Sequence, residues 1–386
     1  MAIINSEAFR EFENDAKTLS NPALEDFRKK GGKVIGLMYH FIPEEIITAG
    51  GMLPYRMRAT GSKGTEMSDS CFTQINCSLV RHFYDSGLKG RMAFLDGVVS
   101  VNNCDHIRRL YDNWKWKIKT PYMHFLCFPK KTGKEQVKWY REQLEGFRKS
   151  LEETFKVRIT DEKLHDAIKL HNETRRLQRE LYELRKGDVP PITGAETLST
   201  MVAATCMPRD RYNTLLKQLI QDCKASKGRN GYKARIVLFG GEIDDPKFVD
   251  TIESQGVLVV GDVLGYGSRA IAANVDETGD PLEALSRYQL VDRPADVRIF
   301  GTSFDRNEYV VKTVKEFKGD GVISVRLPQC DLYGIEQTTL SFHLKKNRIP
   351  HLGLETEYVL ESTGQIKTRV QAFLESISEA RHDRNE

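Results

Sequence analysis

The chain is 386 residues long, too long for one ordinary hydrophobic core, and length alone predicts two or three domains. Apolar residues make up 40% and charged residues 29%, ordinary values for a folded, water-soluble protein, and a formal charge of +4 gives no nucleic-acid signature and allows only a modest preference for anionic small ligands. Met1 to Lys17 mixes acidic and basic residues without an apolar signal segment, and no run approaches a membrane span, so the expected location is cytoplasmic, with neither nucleic acid nor membrane as a partner.

Residues 1–30 read as an N-terminal amphipathic helical segment, with Phe9, Phe12, Ala16 and Leu19 at helical spacing and Asn21-Pro22 interrupting the pattern. Residues 31–133 read as a first α/β lobe. Val34 to Met38 and Met52 to Met57 are strand candidates, and Pro43-Glu44-Glu45-Ile46-Ile47 opens a helix with two carboxylates in its first turn, where the helix dipole favours them. Cys77 to Tyr84 starts another helix, and Gly97 to Val101 is a further strand. Residues 134–225, rich in Glu, Lys, Arg and Leu at helical spacing, read as a helical connector interrupted at Pro190-Pro191 and Gly194. Residues 226–386 read as a second α/β lobe, with strand candidates from Arg235, from Val257, at Val297-Arg298-Ile299-Phe300 and from Val322. This alternation predicts an α/β protein of two doubly wound parallel-sheet lobes joined by a helical segment.

One phrase occurs twice and ends on a cysteine each time. Asp96-Gly97-Val98-Val99-Ser100-Val101 leads to Cys104-Asp105, and Asp320-Gly321-Val322-Ile323-Ser324-Val325 leads to Cys330-Asp331. A β-branched run after Asp-Gly reads as a buried parallel strand, so each cysteine sits just past a strand's C-terminal end, the sheet edge where ligands bind in open α/β sheets. The seven cysteines, at 71, 77, 104, 127, 206, 223 and 330, form no CxxC pair and do not look like a disulfide framework, which leaves metal ligation or buried thiols. There is no Walker A sequence, and Gly265-Tyr266-Gly267 lacks the third glycine of a dinucleotide fingerprint. Cys104 and Cys330 close the repeated phrases, and Cys77 precedes a helix whose N-terminus would favour a thiolate. Such a set suits zinc or an iron-sulfur cluster; the competing reading is three small buried hydrophobes.

Pro43-Glu44-Glu45-Ile46-Ile47-Thr48-Ala49-Gly50, Cys77 with Leu79-Val80-Arg81, Leu95-Asp96-Gly97 leading to Cys104-Asp105, Gly240-Gly241-Glu242 with Ile252-Glu253, Cys330-Asp331, Ile349-Pro350-His351-Leu352 and Thr368 to Phe373 form an ordered series. It resembles the 2-hydroxyacyl-CoA dehydratase and benzoyl-CoA reductase superfamily over residues 31–377, and within it the smaller active-site subunits of ATP-dependent benzoyl-CoA reductases. The resemblance implies an oxygen-sensitive 4Fe-4S cluster held by Cys77, Cys104 and Cys330, with one iron site left open. It also implies a related cluster-bearing subunit as partner, separate ATP-dependent iron-sulfur subunits as electron donor with ferredoxin indirectly behind them, and an aromatic acyl-CoA as substrate, reduced by single low-potential electrons in an anaerobic oxidoreductase. Radical dehydration of a 2-hydroxyacyl-CoA on the same scaffold is the nearest alternative, and a non-enzymatic two-lobed binding or assembly protein a more distant one.

Glu45 matches the carboxylate of the family's Pro-x-Glu motif and is a candidate to protonate or orient substrate, against the plain role of a helix N-terminal charge. His40 lies just after a strand and is a candidate proton donor with a pKa expected near neutrality, against a structural role. Arg81, Arg108 and Arg109 could meet CoA phosphates or a partner, against solvated surface charge. Gly240 and Gly241 would let backbone approach a ligand closely, against a tight strand-to-helix turn.

Overall fold

Eight strands form among the residues described by this computed structural model, 3–360 and 363–385, and they divide into two sheets of four. The first holds β1 (Val34–Leu37), β2 (Leu53–Arg56), β3 (Gly97–Val101) and β4 (Tyr122–Leu126); the second holds β5 (Ala234–Gly240), β6 (Val257–Val263), β7 (Gly321–Arg326) and β8 (His351–Glu355). Their orders, β2-β1-β3-β4 and β6-β5-β7-β8, have the same topology, and every pairing is parallel. In each sheet the chain steps outward from its first strand and then returns to the other side. The gaps beyond β1/β3 and β5/β7 are therefore the switch points where a crevice opens.

The repeated Asp-Gly has a structural cause that is the same in both lobes. Asp96 Oδ2 accepts from the Val34 amide at 2.9 Å while its own amide donates to the Val34 carbonyl at 2.9 Å. Asp320 does the same to Arg235, at 2.8 and 2.7 Å. Each aspartate thus fastens the first strand of its sheet to the third at their N-terminal ends. The glycine that follows leaves room for the neighbouring strand or helix: a Cβ on Gly97 would lie 2.7 Å from the Tyr122 ring, and one on Gly321 2.9 Å from Phe373.

Both sheets are covered on both faces, as expected of apolar parallel strands. Ile35, Leu37, Val99 and Val101 pack under the helices Lys134–Phe155 and Asp161–Glu183, through Tyr140, Leu144, Phe147 and Ile168. Val34 and Val98 face Val80, Phe83, Leu110 and Trp114. In the second lobe Ile236, Leu238, Val259 and Ile323 pack against Leu198 and Val202 of the helix Gly194–Ala203 and against Val370 and Phe373 near the C-terminus. The intervening helices are therefore walls of the two lobes rather than a free-standing arm. The opposite face carries Val237, Phe239 and Val322 against Val310, Val314, Leu340 and Leu344.

The run Val297-Arg298-Ile299-Phe300 is not the expected strand but a turn. Asp296 captures it, its carboxylate accepting from the Arg298 amide at 2.7 Å and its carbonyl from Ile299 at 2.9 Å. The fourth strand of the second sheet is β8 instead. The early helical segment forms two helices, Glu7–Ala16 and Pro22–Lys29, divided where Asn21 caps the second.

Gly97→Ala should lower stability by about 1–3 kcal/mol through overpacking against Tyr122 and Ile35, although alanine is the better residue by backbone entropy alone. The urea midpoint measures this; an unchanged or raised midpoint would contradict the packing account.

Candidate metal centre

After β3 and after β7 the chain turns once and enters a helix, and a cysteine occupies the N-cap both times. Cys104 caps Asp105–Asn113 and Cys330 caps Asp331–Lys346, the latter after a left-handed turn residue, Gln329 at φ 60°. Cys77 is the N-cap of a third helix, Ser78–Leu88. Cys104 Sγ accepts from the Ile107 amide at 3.4 Å, while Cys77 and Cys330 make no side-chain cap bond; the first-turn amides of Leu79 and Val80, and of Leu332 and Tyr333, act on those two thiols electrostatically, favouring the thiolate. These are amide groups that a helix start leaves without intrahelical partners, so all three thiols sit in a locally positive field.

All three cysteines line one crevice, about 1150 Å³ including its mouth, between the facing switch points. Its walls include Tyr39 and Asn103 from the first lobe and Glu242, Tyr333 and Tyr358 from the second. Burial pushes the Cys104 thiol up to about 11 and raises Cys77 and Cys330 as well. Negative charge on Cys104 or Cys330 raises Cys77 further, and charge on Cys330 raises Cys104, so the thiols share one electrostatic environment. Without a cation these groups hold their protons at neutral pH; with one they would lose them. Among the described residues no group of three or more His, Cys, Asp or Glu side chains is gathered tightly enough to hold a single metal ion. Thiolates about 2.3 Å from one tetrahedral ion lie less than about 4 Å apart. Three thiols on one crevice, each at a helix N-terminus, are soft donors of the kind an iron-sulfur group takes.

His40 and Glu45 line a second cavity, about 630 Å³ including its mouth, and not the thiol crevice. His40 Nδ1 is 2.6 Å from Glu242 Oε1, and its Nε2 accepts from Arg269 Nη2 at 2.8 Å. Since Arg269 can only donate, the ring's proton is on Nδ1, directed at Glu242. Burial lowers the His40 pKa to about 3 against the opposing pull of Glu242, so the expected pKa near neutrality is not found. Glu45 is buried and bonded to Arg175. Burial favours its neutral form, but the guanidinium prevails and holds its carboxyl down at about 2. Glu242 joins the two spaces: it lines the thiol crevice while its second oxygen takes Arg56, which lines the other cavity.

Several crevice residues escaped sequence reasoning. His106 accepts the Cys77 amide proton at 2.8 Å, tying two cysteine loops together. Tyr39 donates to Asp296 at 2.7 Å and Asn103 to the same carboxylate at 3.0 Å, which aligns the lobes. The available signals were adjacency, Asn103 and His106 flanking Cys104-Asp105 and Tyr39 beside His40. Cys71, Cys127, Cys206 and Cys223 do not line the crevice, and Cys206 and Cys223 are buried. Arg81 pairs with Asp69, Arg108 with Asp105 and Arg109 with Asp112. A Cβ on Gly241 would meet the Tyr333 ring at 2.8 Å, so this glycine admits a neighbouring side chain.

The family described as 2-hydroxyglutaryl-CoA dehydratase, D-component, matches residues 39–377. The chain belongs to that family. Among its relatives, a subunit of the benzoyl-CoA reductase of Thauera aromatica is 27% identical, over 89% of this chain and 91% of the relative. The (R)-phenyllactyl-CoA dehydratase beta subunit of Clostridium sporogenes is 25% identical, over 96% of this chain and 98% of the relative. The (R)-2-hydroxyglutaryl-CoA dehydratase beta subunit of Acidaminococcus fermentans is 26% identical over the same shares. The dehydratase family thus includes, at nearly equal distance from this chain, both a reductase subunit and dehydratase subunits.

Glu45→Gln should destabilise the chain by about 3–5 kcal/mol, because Arg175 is left buried without its counter-ion. Denaturant unfolding at neutral pH measures the change; wild-type stability would show that Glu45 is not committed to this pair and is free for proton transfer.

Proposed function

We propose that this chain is the 4Fe-4S-bearing subunit of an ATP-dependent, anaerobic benzoyl-CoA reductase, which dearomatises an aromatic acyl-CoA thioester with single low-potential electrons and protons. The observation that carries this reading is the set of three N-cap thiols on one inter-lobe crevice, at Cys77, Cys104 and Cys330. The benzoyl-CoA reductase relative, matched over 89% of the chain, supports it. A second reading, radical dehydration of a 2-hydroxyacyl-CoA, is favoured by dehydratase relatives matched over 96% of the chain. Under either reading the partners are a related cluster-bearing subunit and a separate ATP-dependent iron-sulfur donor. That the relatives are themselves named as subunits of larger enzymes supports a hetero-oligomer.

When bound, the cluster supplies single electrons at low potential, in a class whose potentials span roughly −700 to +450 mV. The chain's own residues set where in that range it works. The Ile107 amide on Cys104 and the helix N-termini at Cys77 and Cys330 stabilise added negative charge and shift the potential upward. Burial, and the carboxylates of Asp105, Asp331 and Glu242 on the crevice wall, oppose them. Tyr39, Asn103 and Tyr333 present polar groups on the same wall, where they can orient a thioester.

Cys77→Ser, Cys104→Ser and Cys330→Ser should each lose the cluster, whereas Cys206→Ser, buried away from the crevice, should retain it. Iron content and the reduced-state EPR signal of anaerobically purified protein check this, and full occupancy in Cys330→Ser would sink the ligand assignment.

An anaerobic assay of the complex with its electron donor, offering benzoyl-CoA and a 2-hydroxyacyl-CoA in parallel, separates the two readings. Stoichiometric ATP use with a cyclic diene product is expected. ATP needed only for activation, followed by dehydration, would replace the reductase by the lyase.

A further inference from the structure

The second cavity carries a charge imbalance that nothing among the described residues resolves. Four arginines line it: Arg56, Arg175, Arg209 and Arg293. The first three each face a carboxylate, Glu242, Glu45 and Glu44 respectively. Arg293 has none. It is 6% exposed and its guanidinium lies 3.9 Å above the Phe41 ring. Its bonds go to the Gln289 side-chain oxygen and, at 3.4 Å, to the His40 carbonyl, while its Nε has no partner among the described residues. Two more cations, Arg175 and Arg269, act on it with like charge. The two histidines on the wall, His40 and His171, are kept neutral by burial and cancel nothing. A buried guanidinium without a counter-ion is costly, and proteins normally pair it.

Two neutral donors line the same cavity. The Gln289 amide nitrogen has no acceptor among the described residues, its oxygen being taken by Arg293. The Tyr266 hydroxyl, on the same wall, likewise has no acceptor among the described residues; its ring is occupied by Arg56, 3.5 Å above it. One surplus cation and two unused donors around a polar space call for a ligand with negative charge and several acceptor oxygens.

We propose that this cavity is an oxyanion site, distinct from the thiol crevice, in which Arg293, Gln289 and Tyr266 bind a carboxylate or a phosphate group. A carboxylate would come from the acyl part of a substrate or a free organic acid, a phosphate from coenzyme A or inorganic phosphate. The inference rests on these charges and donors and is independent of the iron-sulfur reading.

Thermal unfolding of the full chain, titrated at constant ionic strength with succinate, inorganic phosphate or coenzyme A, tests it. A saturable rise in Tm is expected, and Arg293→Gln should weaken the apparent affinity at least tenfold. Tyr266→Phe keeps the ring under Arg56 and removes only the hydroxyl, so it tests the site should Arg293→Gln fold poorly; a loss of several-fold is expected. A response to succinate alone identifies the carboxylate source, and a response to phosphate or coenzyme A the phosphate source. No saturable rise with any of the three, or wild-type affinity in the variants, would overturn the site. Since no turnover is read, failure here leaves the proposed activity standing, and absence of that activity leaves the site standing.

Discussion

Glu242 is the constraint on which the rest of the site depends. It leaves the C-terminal end of β5 in the second lobe and commits both carboxylate oxygens to the first lobe, one to His40 and the other to Arg56. His40 then reaches Arg269, and Arg269 donates to Tyr333 at 2.5 Å, three residues past Cys330. A chain of charge-assisted bonds therefore runs from the end of β1 to the helix that starts on a crevice cysteine. Buried ion pairs contribute little net stability over a well-packed apolar alternative; what they fix is registration, because any other alignment of the lobes strands a charge. Tyr358 adds a neutral link: its hydroxyl accepts from the Ala59 amide at 3.0 Å and donates to Asp244 at 2.7 Å.

With the lobes held this way, the internal repeat takes on a mechanical meaning. The same aspartate clamp starts the third strand of each sheet, the same kind of turn ends it, and a cysteine caps the helix that follows. Two thiols are thereby delivered to facing switch points by equivalent devices. The third, Cys77, comes from a helix start with no counterpart in the second lobe's repeat, and its backbone is fastened to His106 in the next cysteine's helix. Three separate helix N-termini aimed at one space concentrate positive field there, which is the environment a multiply charged thiolate group requires.

How much of this was legible in sequence follows from the physics of each element. The central strands β1, β3, β5 and β7 are apolar on both faces, and their runs stood out. The edge strands β4 and β8 are interrupted by His124 and His351, so no unbroken apolar run marked them. Val297 to Phe300 imitated a strand because an alternating apolar pair is visible in sequence, whereas the Asp296 turn that captures it is a backbone arrangement. Placing the cysteines at helix starts was possible because strand ends and helix starts are local. The partners that engage His40 and occupy Glu45 were not, since Glu242, Arg269 and Arg175 lie 202, 229 and 130 residues away from them. Fold and thiol positions were written in short windows; the charge network between the lobes was not.

Under the proposed function, three thiols at helix N-cap positions in two lobes serve one polynuclear iron site. Iron and acid-labile sulfide, measured together on the anaerobically purified full chain, test it most directly. About four of each per chain is the predicted result for a 4Fe-4S group. A chain with native secondary structure, purified without oxygen and carrying neither iron nor sulfide after reconstitution, would contradict it.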